Sequence, residues 1–363
     1  MAPPRPRWEA NKKQAPAKAQ KAPKVKAATP APAQSIPLEL QQLLLNIFKD
    51  SFAERFEQDI KPLLQEVKGH LYNRDFATAF GKNEYLETYA ARWSASRALG
   101  YADLFWDLRE HLWPKNARVE DGSAETANAS SKSRKTICLG GGAGAEVVAL
   151  AAVQKMLSRP NDDDSVAAPV KMDVEAIDMA DWRVVVEQLH KHITHEPPLS
   201  KYASASVKAS NAALIEPGSI DVSFQQHDVL LMDPSALSTT LENTTLVALL
   251  FTLNELYSTS VALTQKFLLN LTSSLSTGAM LLVVDSPGSY STVMLNGTEK
   301  KYPMQWLLDL TLLNEGGSSA KDKDVKWEKV HEDESRWFRL DSSLRYPIEL
   351  ENMRMQIHLY RRL

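Results

Sequence analysis

The sequence predicts an open α/β fold: a parallel sheet covered by helices on both faces, with an antiparallel strand at its end. Three observations carry this reading. Between Lys135 and Val147 the chain reads KTICLGGGAGAEV, a short apolar run that stops at three glycines and passes into an alanine-rich helical pattern. That is the strand, turn and helix that open a nucleotide-binding unit. Four more short apolar runs alternate with helical stretches between Met172 and Leu313, the order of βα units. Beyond Leu313 the pattern changes, and Trp337–Leu340 and Met353–Tyr360 read as two strands with no helix between them.

Taken in order, residues 1–35 read as a disordered, basic Pro/Ala-rich arm. Residues 1–34 hold eight Lys or Arg against Glu9, a net of +7, which leaves −10 for the rest of a chain whose total is −3. Such an arm is attracted to polyanions or serves as a solubilising or targeting tail. The acidic body argues against wide non-specific nucleic-acid binding by the folded part. Residues 36–116 read as a small helical domain. Leu40, Leu43, Leu44, Ile47 and Phe48 make an amphipathic stripe, and a continuous helix is expected from Asn83 to Leu108, with Tyr85, Tyr89 and Trp93 spaced by four as core aromatics. Residues 117–134 are small and polar, a linker, and 135–363 hold the α/β domain.

Within that domain the helix after the glycines uses Val147, Leu150 and Leu157, and the second strand runs from Met172 to Ile177 and closes on Asp178. The third spans Ile220–Gln225 and closes near Asp228. The fourth, Leu246–Leu253, is apolar apart from Thr252, as a central strand buried on both faces would be, and ends at Asn254 and Glu255. A helix from Thr259 to Leu275, a fifth strand Ala279–Val284 ending at Asp285, a long loop to Lys301 and a helix Met304–Leu313 complete the series.

Composition bounds the function. Hydrophobic residues at 44% and charged residues at 24% are ordinary for a globular protein. The one cysteine, Cys138, excludes an internal disulfide and a multi-cysteine zinc site. His190, His192 and His195 share no helical face, and Asp162–Asp164 lack further ligand spacing, so no metal is expected. The most apolar region, 245–284, is interrupted by Asn254, Glu255 and Lys266, so no membrane span is expected. The basic start has no apolar core of a signal peptide. The chain reads as an intracellular protein.

The glycines admit two cofactors. Gly140-x-Gly142-x-x-Ala145 fits a dinucleotide fingerprint, whereas Gly140-x-Gly142-x-Gly144 fits the loop under the methionyl part of S-adenosylmethionine. Five βα units followed by a strand pair favour the second, since that is the order of a class I methyltransferase sheet with its terminal antiparallel strand. Ligands of such sheets lie beyond the carboxyl ends of the strands. Asp178 is placed for the ribose hydroxyls, with a helix cap as its plain alternative, and Asp228 for the adenine amino group. Asn254 and Glu255 stand where an acceptor would lie. Glu255 is the candidate base or positioning group, with a helix-start carboxylate as its alternative, and Asp285 is the reserve.

Together the runs TICLGGGAGAE, VEAIDMADW, LLFTLNELYS and LLVVDSPGSYS, with the helix YAARWSASRALGYADLF before them, resemble the fungal large-subunit ribosomal RNA (uridine-N3)-methyltransferases over about residues 36–363. The resemblance implies S-adenosylmethionine as donor, N3 of a uridine as acceptor, a ribosomal RNA or pre-ribosomal particle as partner, and a nuclear or nucleolar location. It also implies that Gly140, Gly142 and Gly144 line the donor, Asp178 the ribose and Asp228 the adenine. A methyltransferase acting on a small molecule or protein, and a non-catalytic RNA-binding module of the same fold, are the alternatives. Lys300 and Lys301 are candidate phosphate contacts in the first reading.

Overall fold

Alternation along the apolar strands decides how the layers assemble. In the computed structural model, β1 (Arg134–Leu139), β2 (Met172–Asp178), β3 (Ile220–Gln226), β4 (Thr244–Leu250) and β5 (Met280–Asp285) are parallel. A hairpin of β6 (Tyr290–Leu295) and β7 (Thr298–Pro303) stands apart, and β8 (Trp327–Phe338) and β9 (Met353–Arg362) return to the sheet. The order is β3-β2-β1-β4-β5-β9-β8, with β9 antiparallel to both neighbours. The structure describes residues 35–114, 133–158, 170–313 and 325–363, apart from 198, 200, 203, 206, 207, 209, 210, 296 and 297. The arm up to residue 34, nearly all of the linker and Asp162–Asp164 lie outside the described residues.

On β4, Leu246, Ala248 and Leu250 join one apolar cluster while Val247 and Leu249 join the other, one on each face of the sheet. This is why the run is apolar throughout. The helices are α1 (Leu38–Ser51), α2 (Ala53–Glu57), α3 (Lys61–Tyr72), α4 (Phe76–Ala79), α5 (Asn83–Tyr89), α6 (Ala95–Asp107) and α7 (Arg109–Leu112) before the sheet. After β1 come α8 (Ala145–Leu157), α9 (Arg183–Thr194), α10 (Pro234–Thr240), α11 (Leu253–Thr259), α12 (Val261–Ser274) and α13 (Met304–Leu312).

The helical segment is not a domain of its own. Residues 34–363 form one compact unit, and α1 and α6 share a single apolar cluster with α8, α9 and one face of the sheet. Small residues allow the approach: Ala95, Ala98 and Ala102 of α6 and Ala149 and Ala152 of α8 are fully buried. A Cβ at Gly100 would overlap Met353 and press on Phe338, so that glycine lets α6 settle onto the ends of β8 and β9. Arg336 of β8 reaches back to Asp103 (2.7 Å) and Asp107 of α6, and Arg92 pairs with Glu351.

The helix expected from Asn83 runs on to Asp107, with one π-helical turn at Ala90–Ser94 between α5 and α6. Four other sequence expectations are corrected. Strand four ends at Leu250, since Phe251 turns the chain with φ +58°, and Asn254 and Glu255 lie in α11. The helix expected from Thr259 starts afresh at Val261, where the Ser260 hydroxyl accepts from Leu263 N–H at 3.3 Å. The loop to Lys301 is the β6–β7 hairpin. β8 also begins at Trp327, ten residues before the expected start, and its charges are those of an edge strand kept from pairing further.

Candidate active site

A cavity of about 360 Å³ lies beyond the carboxyl ends of β1 to β4, where the strand order reverses. Gly140, Ile177, Asp178 and Leu250 line its sheet side, and Leu71, Phe76, Phe80, Tyr89, Arg97 and Tyr101 of the helical layer roof it.

The glycine loop is held by its backbone. Gly140 (φ +76°) and Gly144 (φ +80°) take the left-handed conformation that glycine adopts without strain, and Gly140 N–H donates to Ile177 O at 2.8 Å. Of the three glycines only Gly140 is on the cavity wall. A Cβ on Gly142 would overlap the Trp182 indole and come within 2.9 Å of Asp178 Cβ, and one on Gly144 would overlap Leu189. Their bareness serves the packing of α9 and its lead-in residue, and neither is among the residues lining the cavity, where all three glycines were expected.

Asp178 lines the cavity and accepts from Gly142 N–H (3.3 Å) and Ala180 N–H (3.2 Å). It is not the cap of α9, whose N-cap position is Trp182. Burial pushes its carboxyl up to about 6 despite these amides. Asp228, also on the wall, accepts from Leu230 N–H at 2.9 Å. Glu255 is at the rim, its side chain 44% exposed and 3.4 Å from Arg74 Nη1. Asn254 is not on the wall: its N–H donates to Asp285 Oδ2 (3.1 Å), and its Oδ1 is buried without a partner among the described residues. Asp285 is 4% exposed and also accepts from Ser286 N–H (2.8 Å) and the Ser289 hydroxyl (3.2 Å). It ties β5 to α11 and has no free reach into the cavity, which removes it as the reserve base.

Sequence reasoning missed several wall residues. Trp182 packs on Phe80 (5.2 Å) and Tyr89 (5.7 Å), an aromatic group that joins α9's lead-in to the roof. Arg97 donates to Tyr89 Oη (2.9 Å) and stands over the Phe251 ring at 5.4 Å. Glu146, the last letter of the glycine motif, is 4% exposed in the first turn of α8. Nothing in the apolar spacing marks a helix-start glutamate as buried, because its position depends on α6 lying across α8.

Burial, outweighing its own amide and Arg97, pushes the Glu146 carboxyl up to about 7 from an ordinary 4.5. A raised carboxyl is protonated more readily in the folded than in the unfolded chain, so it costs stability. That cost is absent below 4.5, grows with pH, and is complete above about 7. Glu146→Gln is therefore expected to stabilise the ligand-free protein by up to about 3 kcal/mol at pH 8 and to change little at pH 4. Denaturant melts at both values check this, and equal stabilisation at both would contradict it.

Among the described residues no helix is long and apolar enough to cross a membrane, and no group of His, Cys, Asp and Glu could hold a metal ion. Residues 48–361 match the family described as SAM-dependent methyltransferase. The chain is 33% identical over 336 residues, 88% of its length and 85% of the relative's, to the 25S rRNA (uridine(2843)-N(3))-methyltransferase of Saccharomyces cerevisiae. Solved structures it matches include SAM-dependent methyltransferases from Leishmania major (10% identity, 76% of this chain and 81% of that one, TM-score 0.35) and Methanosarcina mazei (10%, 64% and 93%, TM-score 0.34). These likenesses are too slight to carry an argument. The family match covers most of both layers, the glycine loop and all the cavity walls, and on that ground the chain belongs to the S-adenosylmethionine-dependent methyltransferases.

Proposed function

We propose that this enzyme methylates N3 of a uridine in large-subunit ribosomal RNA. The observation that carries the reading is the 33% identity, over 88% of the chain, to a yeast enzyme named for that reaction. The donor set on the cavity wall fits S-adenosylmethionine: Asp178 for the ribose hydroxyls, Asp228 with Val229 and Leu230 for the adenine, and Gly140 where a bare backbone is needed. The donor supplies an electrophilic methyl group on a sulfonium, and displacement is in line, so the protein's work is positioning.

The aromatic roof of Phe76, Phe80 and Tyr89 gives the donor an apolar cover. Glu255 at the rim accepts the N3 proton or hydrogen-bonds the base, and its neighbour Arg74 is a cation for the phosphate next to it. Lys301 is exposed on β7 and suits the same backbone. The reading carries a nuclear or nucleolar location with it.

The deciding experiment incubates the protein and labelled donor with ribosomal RNA, or with particles from cells lacking the enzyme, and identifies the labelled nucleoside. 3-Methyluridine is expected. Label in another nucleoside, or only in protein, would overturn the assignment.

A further inference from the structure

Two ionisable groups of opposite sign face the cavity without closing into an ion pair, the partly buried Arg97 and the buried Glu146. Arg97 of α6 gives one N–H to Tyr89 Oη and lies over Phe251. Glu146 follows the glycine loop on α8. Both line the same cavity, yet among the described residues neither makes an ion pair within 4.0 Å. Charges held out of water are costly unless a partner meets them. Glu146 lies in the helix after β1 and Arg97 over Phe251, just past β4, while Asp228 lies past the end of β3, on the far side of β2.

Phe251 underlines the arrangement. It is a non-glycine residue held at φ +58°, a conformation that persists only where the surroundings enforce it. That backbone sets its ring against both Arg97 and Tyr101, whose ring lies 6.4 Å away at 27°. The guanidinium is thus fixed in direction before any ligand arrives.

A space between a fixed guanidinium and a buried carboxyl that line one cavity but do not meet as an ion pair matches a zwitterion whose two charges sit on one carbon. We infer that Arg97 and Glu146 bind the amino-acid end of the donor, with the guanidinium donating to its α-carboxylate and the Glu146 carboxylate accepting from its α-ammonium. This rests on the family's donor and not on the uridine substrate. It gives the helical layer a direct part in donor binding.

Calorimetry on the full chain tests it with three ligands: S-adenosylhomocysteine, its decarboxylated analogue, and 5′-methylthioadenosine, which lacks the amino acid altogether. The unaltered protein is expected to prefer S-adenosylhomocysteine to the decarboxylated analogue by about 10–100-fold, the range for a charge-assisted bond. Arg97→Gln should abolish that preference. Glu146→Gln should weaken both ammonium-bearing ligands by a similar factor. Neither change should alter 5′-methylthioadenosine binding.

Equal affinity of the unaltered protein for the first two ligands would overturn the proposal, as would an Arg97→Gln protein that keeps the preference. If Arg97→Gln does not fold by circular dichroism, Arg97→Met, which keeps the length of the stem but not the charge, replaces it, and an undiminished preference there is equally fatal. Failure of the unaltered protein to bind any of the three would overturn the donor itself, a different result from equal binding.

Discussion

Glu255→Gln is expected to bind the donor normally and to lose about 10²–10⁴-fold in turnover at neutral pH, the usual cost of removing a general base. Uridine N3 holds its proton at neutral pH and becomes nucleophilic only as that proton leaves. A carboxylate at the rim, half open to solvent and 3.4 Å from Arg74, is well placed to receive it and pass it to water. Glutamine keeps the shape and the hydrogen-bonding oxygen but not the basicity, so the variant should recover part of its rate at higher pH, where the imide ionises unaided. A purely orienting glutamate predicts another pattern: a loss of RNA affinity alongside rate, with no recovery. Single-turnover rates between pH 6.5 and 9.5 with labelled donor separate the two. Normal turnover across that range would place the base elsewhere, and not at Asp285, which is committed to three donors.

The second large effect is expected at Gly142. A valine there has no room: its first carbon already overlaps the Trp182 ring, and its branch would crowd Asp178. Overpacking of this sort costs about 1–3 kcal/mol, which thermal melts should register. The functional loss should be larger than the loss of stability. Trp182 is itself a cavity wall and is held by Phe80 and Tyr89, so a displaced indole intrudes on the donor space, and the shifted loop withdraws the Gly142 amide from Asp178. S-adenosylhomocysteine binding should fall below detection in calorimetry while circular dichroism stays native. A stable, normally binding Gly142→Val protein would contradict the packing described for this loop.

Much of the architecture was readable in the chain because strands buried on both faces must be apolar and glycine turns must be bare. The five parallel strands and the antiparallel return follow from those two facts. The edge strand β8 was half missed for the converse reason: its outer residues answer to water, so Glu328, Glu332 and Asp333 carry no strand signal. Gly140, Asp178, Asp228 and Glu255 could be placed at strand ends, and all four meet in one cavity. Asn254 could not, because one left-handed residue, Phe251, ends β4 early and turns the asparagine side chain away from the wall. Arg97 and Glu146 were out of reach altogether. Their meeting depends on the π-turn that resets the register of α6 and on small residues that bring α6 down on α8.

The placement of β9 has a consequence in time. It sits between β5 and β8 with hydrogen-bonding neighbours on both sides, yet it follows every strand it pairs with in the order of synthesis. Until Met353–Arg362 arrives, β5 keeps an open edge and α6 lacks the Met353 side chain that closes on Gly100. A sheet completed by such distant residues is slow to form, and the waiting intermediate exposes a strand edge of the kind that recruits other chains. A nascent chain stalled short of β9 would therefore be a better client for chaperones than the finished enzyme.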